Sequence, residues 1–222
     1  MKRLSIFIIV LALAAPASAK TPIHGGFVSG QAYLDMPNLR KIAYVTGLLD
    51  GMFLAPVFGG TVARQAWFGL CIDALGRTGI RDILVRRLRA DTKTWDNRNP
   101  AKMYRAIRAG CRAGDKPASA KPEQRQQGGY ITGQAYIDMY GLQKLAYVGG
   151  LIDGIFLTPA FGAKAEAIEP FVTCVDRLRW SGVLKALNKR LLGEPRLMTS
   201  YDPEPRYRAI LAGCAKPARK ER

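Results

Sequence analysis

Tyr44-Val45-Thr46-Gly47-Leu48-Leu49-Asp50-Gly51 returns later in the chain as Tyr147-Val148-Gly149-Gly150-Leu151-Ile152-Asp153-Gly154. Outward from this octet the match continues without a gap, joining Gly25 to Cys111 with Gly128 to Cys214 at a constant shift of 103 positions. About 38 of the 87 aligned pairs are identical and many others exchange one apolar residue for another, which marks a tandem duplication. Gly25-Gly26-Phe27-Val28-Ser29-Gly30-Gln31-Ala32-Tyr33-Leu34-Asp35-Met36 heads one copy, and Gly128-Gly129-Tyr130-Ile131-Thr132-Gly133-Gln134-Ala135-Tyr136-Ile137-Asp138-Met139 heads the other. The chain is therefore its own small alignment, and what both copies keep, the common unit needs.

The period inside a copy is helical. Leu39, Ile42, Ala43, Thr46, Leu49 and Phe53 share one face, as do Leu142, Leu145, Ala146, Gly149, Ile152 and Phe156. This longest helix should end near Pro56 or Pro159, since the residue before a proline is pushed out of the helical region and Ala55 and Thr158 become natural stops. A short helix over roughly Gly30 to Met36 precedes it, capped by Ser29 or Thr132. A third carries Phe68, Cys71, Ile72 and Leu75, matched by Phe171, Cys174, Val175 and Leu178. A fourth follows Thr78 or Ser181, and a fifth opens at Asn99-Pro100 or Asp202-Pro203, a cap followed by proline at the first helical position. The fold class is all-α, with two tandem units of four to five helices over residues 25–111 and 128–214. Arg112 to Gln127 lacks apolar periodicity and reads as a linker; Ala215 to Arg222 reads as a disordered basic tail.

Residues 1–19 combine basic Lys2 and Arg3, an apolar run from Leu4 to Ala15 and the small-residue ending Ala17-Ser18-Ala19, the pattern of a secretory signal peptide cleaved after Ala19. The run is short against the roughly 20 residues a spanning helix needs. Export places the mature chain in an oxidising compartment, the periplasm of a Gram-negative host. The four cysteines fall two per copy, and because each copy is expected to fold as a unit, the favoured bridges are Cys71 to Cys111 and Cys174 to Cys214. Each closes a loop of about 40 residues, contributing about 4 kcal/mol in the chain-entropy model. A zinc site would show closely spaced ligand pairs, and none is present. A catalytic thiol would want a histidine, but the single histidine, His24, lies outside both copies.

The formal charge is +17, of which copy one carries +7 and copy two +2. Arg81, Arg86, Arg87, Arg89, Lys93 and Arg98 form the densest basic run, a candidate surface for an acidic partner, anionic lipid or cell-wall polymer. The blander reading is a solvated helix face, since copy two places Leu184 and Leu192 where copy one has Arg81 and Arg89. An exported chain without a recognisable nucleic-acid-binding motif is not expected to bind nucleic acid. Asp50 and Asp153 sit in apolar surroundings and are the candidate functional carboxylates or partner contacts; the alternatives are a wet helix edge or a hydrogen bond to a neighbouring helix terminus. Gly47, Gly51, Gly150 and Gly154 each cost about 1 kcal/mol in mid-helix relative to alanine, which predicts close approach of another helix. No nucleophile with its base, phosphate-cradling loop, cofactor motif or metal-binding motif is visible, so no cofactor and no enzyme activity are expected.

The Tyr44 to Asp50 helix, Cys71, Pro100 and Cys111, with Tyr147 to Asp153, Cys174, Pro203 and Cys214, together with the signal peptide, resemble the periplasmic Tai/Rap immunity family. The resemblance implies a small all-α protein that protects a bacterium from peptidoglycan amidase effectors delivered by type VI secretion. Characterised members of that family act as dimers, so two fused copies are expected to form an intramolecular pseudo-dimer. The departures are two units instead of one, strong basicity, and no proline-containing stretch just after the first cysteine. An alternative is an envelope-stress protein similar to the acid-activated helical chaperones of the periplasm.

Overall fold

A computed structural model describes residues 26–91, 98–115, 121 and 129–214. The expected signal peptide, His24, Lys93, most of the expected linker and the basic tail lie outside the described residues. The all-α expectation holds. Ser29 Oγ accepts the Ala32 N–H at 3.1 Å to open α1 (Gly30–Asp35), and Thr132 Oγ1 accepts the Ala135 N–H at 3.0 Å to open α5 (Gly133–Ile137). The long helices are α2 (Asn38–Met52) and α6 (Gly141–Phe156). They stop before the expected boundaries because each proline sits near the start of a separate 3-10 turn, Ala55–Phe58 or Thr158–Phe161. In copy one, Gln65 Nε2 donates to the Met52 carbonyl at 2.8 Å and so satisfies an acceptor at the end of α2.

The expected third and fourth helices are two arms of one bent element, α3 (Val62–Ala90) in copy one and α7 (Ala165–Gly193) in copy two. The bend lies at Gly76 (φ 62°, ψ 175°) and Arg179 (φ 56°, ψ 177°), two residues ahead of Thr78 and Ser181. This backbone region is nearly exclusive to glycine, so copy two holds an arginine under strain where copy one has none. The last helices are α4 (Pro100–Ala113) and α9 (Glu204–Cys214), with a one-turn α8 (Pro195–Met198) between α7 and α9. Asn99 Oδ1 accepts the Ala101 N–H and Asp202 Oδ1 the Glu204 N–H, both at 2.9 Å, so these residues cap the last helices as expected. The disulfides are Cys71–Cys111 and Cys174–Cys214, tying α3 to α4 and α7 to α9 within each copy.

The two copies do not keep separate cores. Their buried apolar residues form one cluster, and the most extensive contact between any two helices joins α2 to α6 across the copies. A Cβ on Gly47 would stand 1.9 Å from the Tyr147 carbonyl oxygen, and one on Gly150 would stand 2.0 Å from that of Tyr44. Gly51 and Gly154 face Leu151 and Leu48 in the same reciprocal way. The four glycines thus let two helix backbones touch, and Ala43 to Met52 and Ala146 to Phe156 are buried throughout. Leu39 and Leu142, expected on the core face, lie in the first turns ahead of this crossing and are exposed. Beyond the crossing each 3-10 turn lends its phenylalanine to the other copy: Phe58 packs on Tyr207 at 5.0 Å, and Phe161 on Phe68 and Tyr104, each at 5.5 Å.

Candidate functional site

Asp50 and Asp153 lie at this crossing, and the structure corrects the reading of either as a partner contact, because both are fully buried. Asp153 accepts the Phe27 N–H at 2.7 Å, the Val28 N–H at 3.3 Å and the Tyr44 hydroxyl at 2.8 Å, all from copy one. Asp50 accepts the Tyr130 N–H at 2.9 Å and the Tyr147 hydroxyl at 2.8 Å, both from copy two. Each carboxylate therefore pins the segment leading into the other copy's first helix. Of the alternatives weighed, hydrogen bonding near a neighbouring helix start is the one that forms, without the wet edge. Tyr44 stacks obliquely on Tyr33 and Tyr147 on Tyr136, with ring centroids 5.4 Å apart in both pairs.

A buried cation sets the two centres apart. Arg206, on α9, is almost completely buried and donates to Ile131 O and Tyr201 O, each at 3.1 Å, and to Asp50 Oδ2 at 3.4 Å. Its aligned position in copy one is Met103, so Asp153 has no arginine in the corresponding place. Burial pushes Asp153 up to about 7, against the lowering effect of hydrogen bonds from Phe27, Tyr44 and Val28. Burial also raises Asp50, but the Arg206 charge, the Tyr147 and Tyr130 hydrogen bonds and Arg77 hold it to about 6. Reading the sequence one copy at a time misses Arg206. The signal lay in the alignment with Met103, since a cation at an apolar helix position requires an internal partner.

The basic run is partly neutralised. Arg81 pairs with Asp82 at 2.6 Å, and Arg86 and Arg87 converge on Asp115 Oδ2 at 3.0 Å each. Arg89 and Arg98 are exposed. Between the end of α3 and the start of α4 lies a groove of about 540 Å³ whose lining includes Arg87, Lys102 and Arg105, with Asp91 among them. The corresponding groove of copy two, about 330 Å³, is lined by Lys189, Arg190 and Glu194, and Arg190 is paired with Glu194 at 2.6 Å. Arg87 is thus joined by two cations of α4 that the sequence run did not include. Asp35 and Asp138 accept from Gln31 and Gln134 one turn earlier and are exposed or partly so, which leaves them surface residues. Among the described residues no group of three or more His, Cys, Asp or Glu side chains is placed to hold a metal ion, and no helix is long and apolar enough to cross a membrane. Set against known proteins, the chain matches no family model, and no curated protein or solved structure matches it.

Proposed function

We propose that this is an exported, non-enzymatic binding protein of the periplasm, acting as an immunity protein that binds and inhibits a toxic cell-wall hydrolase. Its two copies form a fused pseudo-dimer, supplying within one chain the two-fold arrangement that the Tai/Rap immunity family reaches by association. The observation that carries this reading is the division of labour among charged groups. The repeated aspartates are fully buried and spent on cross-copy hydrogen bonds, whereas Arg87, Lys102 and Arg105 gather on an open groove of the more basic copy. A concave surface lined by cations suits an acidic face of a protein partner. Such surfaces govern encounter rate and selectivity.

The acid-activated chaperone reading fits less well. Activation by acid needs groups whose protonation loosens the fold. Asp50 and Asp153 are raised from the ordinary carboxylate range, so protonating them relieves a burial penalty and favours the folded state.

The test is to recover envelope proteins bound to the exported chain, and to mix a deletion strain with its siblings. A captured cell-wall hydrolase, sibling sensitivity of the deletion strain, and loss of capture by Lys102→Glu with Arg105→Glu are the expected results. Absence of both capture and sensitivity defeats the immunity reading. Suppression of client aggregation at low pH without a specific partner would favour the chaperone.

A further inference from the structure

The first arms of α3 and α7 occupy equivalent places in the two copies but carry opposite surfaces. In copy one, Val62, Ala66 and Leu70 form a row four residues apart along the outside of α3, with Trp67 beside it. Val62 is 69% and Leu70 73% exposed, and Trp67 is 42% exposed while its ring packs edge-on against Phe68. On α4, half-buried Arg108 lies one turn after Tyr104, whose ring is 5.5 Å from that of Phe68 on α3. This is an apolar ridge with a basic flank.

Copy two has Ala165, Glu169 and Thr173 in the corresponding row, Glu166 where copy one has Ala63, and Pro170 where it has Trp67. Without the indole a groove of about 650 Å³ lies open between α7 and α9, floored by Cys174 and Cys214 and flanked by Leu211 and Pro170. Glu166 and Glu169 lie along it. Arg177, also in the lining, donates to the Cys214 carbonyl oxygen. The groove is apolar at its base and acidic at its edge.

We propose that this groove is a docking site for the Val62–Leu70 ridge of a second copy of the same chain, so that molecules associate head to tail. Chemical complementarity selects this occupant: an apolar helix row meets an apolar cleft, and the basic flank at Arg108 meets the carboxylate of Glu166. Copy one of one molecule joins copy two of the next, which makes the contact heterologous. It repeats into open chains or closes into rings, and it leaves the internal α2–α6 crossing untouched.

Sedimentation of the oxidised chain from Lys20 onward, from micromolar to near-millimolar concentration, tests this. The expected result is an average mass that climbs past two chains with concentration and falls back as salt is added. Leu70→Glu disables the ridge and Glu166→Lys the groove, and each should weaken self-association by about tenfold or more. Val62→Glu is the second ridge variant, and helical circular dichroism confirms that each variant remains folded. The decisive step is mixing: Leu70→Glu keeps a working groove and Glu166→Lys a working ridge, so together they should give one-to-one pairs that grow no further. The proposal is overturned by a wild-type chain that stays monomeric throughout, by assembly indifferent to these substitutions, or by a mixture that forms nothing. It is equally overturned if the monomer instead sediments with phosphatidylglycerol vesicles through Val62 and Leu70, which would assign the ridge to lipid.

Discussion

Replacing Gly51 by alanine should reverse the usual sign of such a change. In an ordinary exposed helix interior, glycine to alanine stabilises by about 1 kcal/mol, because alanine restricts the unfolded chain and has the better helix propensity. At Gly51 the new methyl would lie 2.2 Å from the Leu151 carbonyl oxygen, 2.8 Å from the Ile155 nitrogen and 2.9 Å from the Gly154 Cα, where ordinary contact begins at 3.4 Å. All three are backbone atoms of α6, so no side chain can swing aside. The helices must separate, and the separation is felt along the whole crossing, where Val45, Leu48, Leu49, Val148, Leu151 and Ile152 are fully buried. Overpacking against a yielding side chain costs about 1–3 kcal/mol; against a second backbone the upper end or more is expected, so we set the net loss at about 3 kcal/mol. For a chain of this size that corresponds to a melting temperature lower by roughly 6–12 °C. Thermal and urea unfolding followed by circular dichroism, with both disulfides intact, measures it. Gly141→Ala is the control, since a Cβ there meets nothing within 4 Å. A Gly51→Ala protein at least as stable as wild type would refute the backbone-contact account of the crossing.

Arg179→Gly should stabilise by about 1 kcal/mol, because relief of the φ 56° conformation outweighs the added freedom of the unfolded chain, and the exposed side chain gives up little packing; urea midpoints decide it. Stability should fall by about 4 kcal/mol between pH 5 and pH 8, since Asp153 near 7 and Asp50 near 6 hold protons in the folded state that the unfolded chain has released. The sign follows from native pKa values above the ordinary one, which place the extra stability on the acid side. Asp153→Asn should flatten most of that slope, and a wild type that is most stable at pH 8 would contradict the assignment. Arg206→Met copies the residue at the equivalent position of copy one, and should cost about 3 kcal/mol at pH 8 but less at pH 5, where Asp50 can take up a proton. Equal losses at the two pH values would mean that Arg206 serves only the Ile131 and Tyr201 carbonyls.

Local structure was the most legible part of the chain. Ser29, Thr132, Asn99 and Asp202 cap what their types predict, because capping is decided within three residues. The disulfides follow the repeat spacing of the cysteines. The glycines of α2 and α6 announced a close helix contact, but their periodicity could not say whose helix would approach. Nothing in a pattern repeated at 103 positions distinguishes packing within a copy from packing across copies, and so Asp50 and Asp153 looked available when they are enclosed. The groove of copy two was hidden for a different reason. It is created by what Pro170 lacks beside Cys174–Cys214, a consequence of tertiary packing with no periodic signature.

Fusion explains why the two copies could become so different while keeping one crossing. In a dimer of identical chains, a substitution on one face appears on both, so an arginine that suits one buried aspartate must also suit the other. Joined in one chain, the copies are free of that constraint, and the structure uses the freedom at the centre and at the surface. At the centre, Arg206 serves Asp50 while Met103 leaves Asp153 with neutral donors alone, which separates two otherwise equivalent carboxylates, one near 6 and one near 7. At the surface, the same register yields an apolar ridge at Val62 to Leu70 and an acid-edged groove at Ala165 to Thr173. Residues that contact the other copy's backbone, the glycines, aspartates and tyrosines, stay paired, because a change in one would open the crossing for both. Divergence is therefore kept away from the backbone crossing, and the outward differences are where recognition has room to arise.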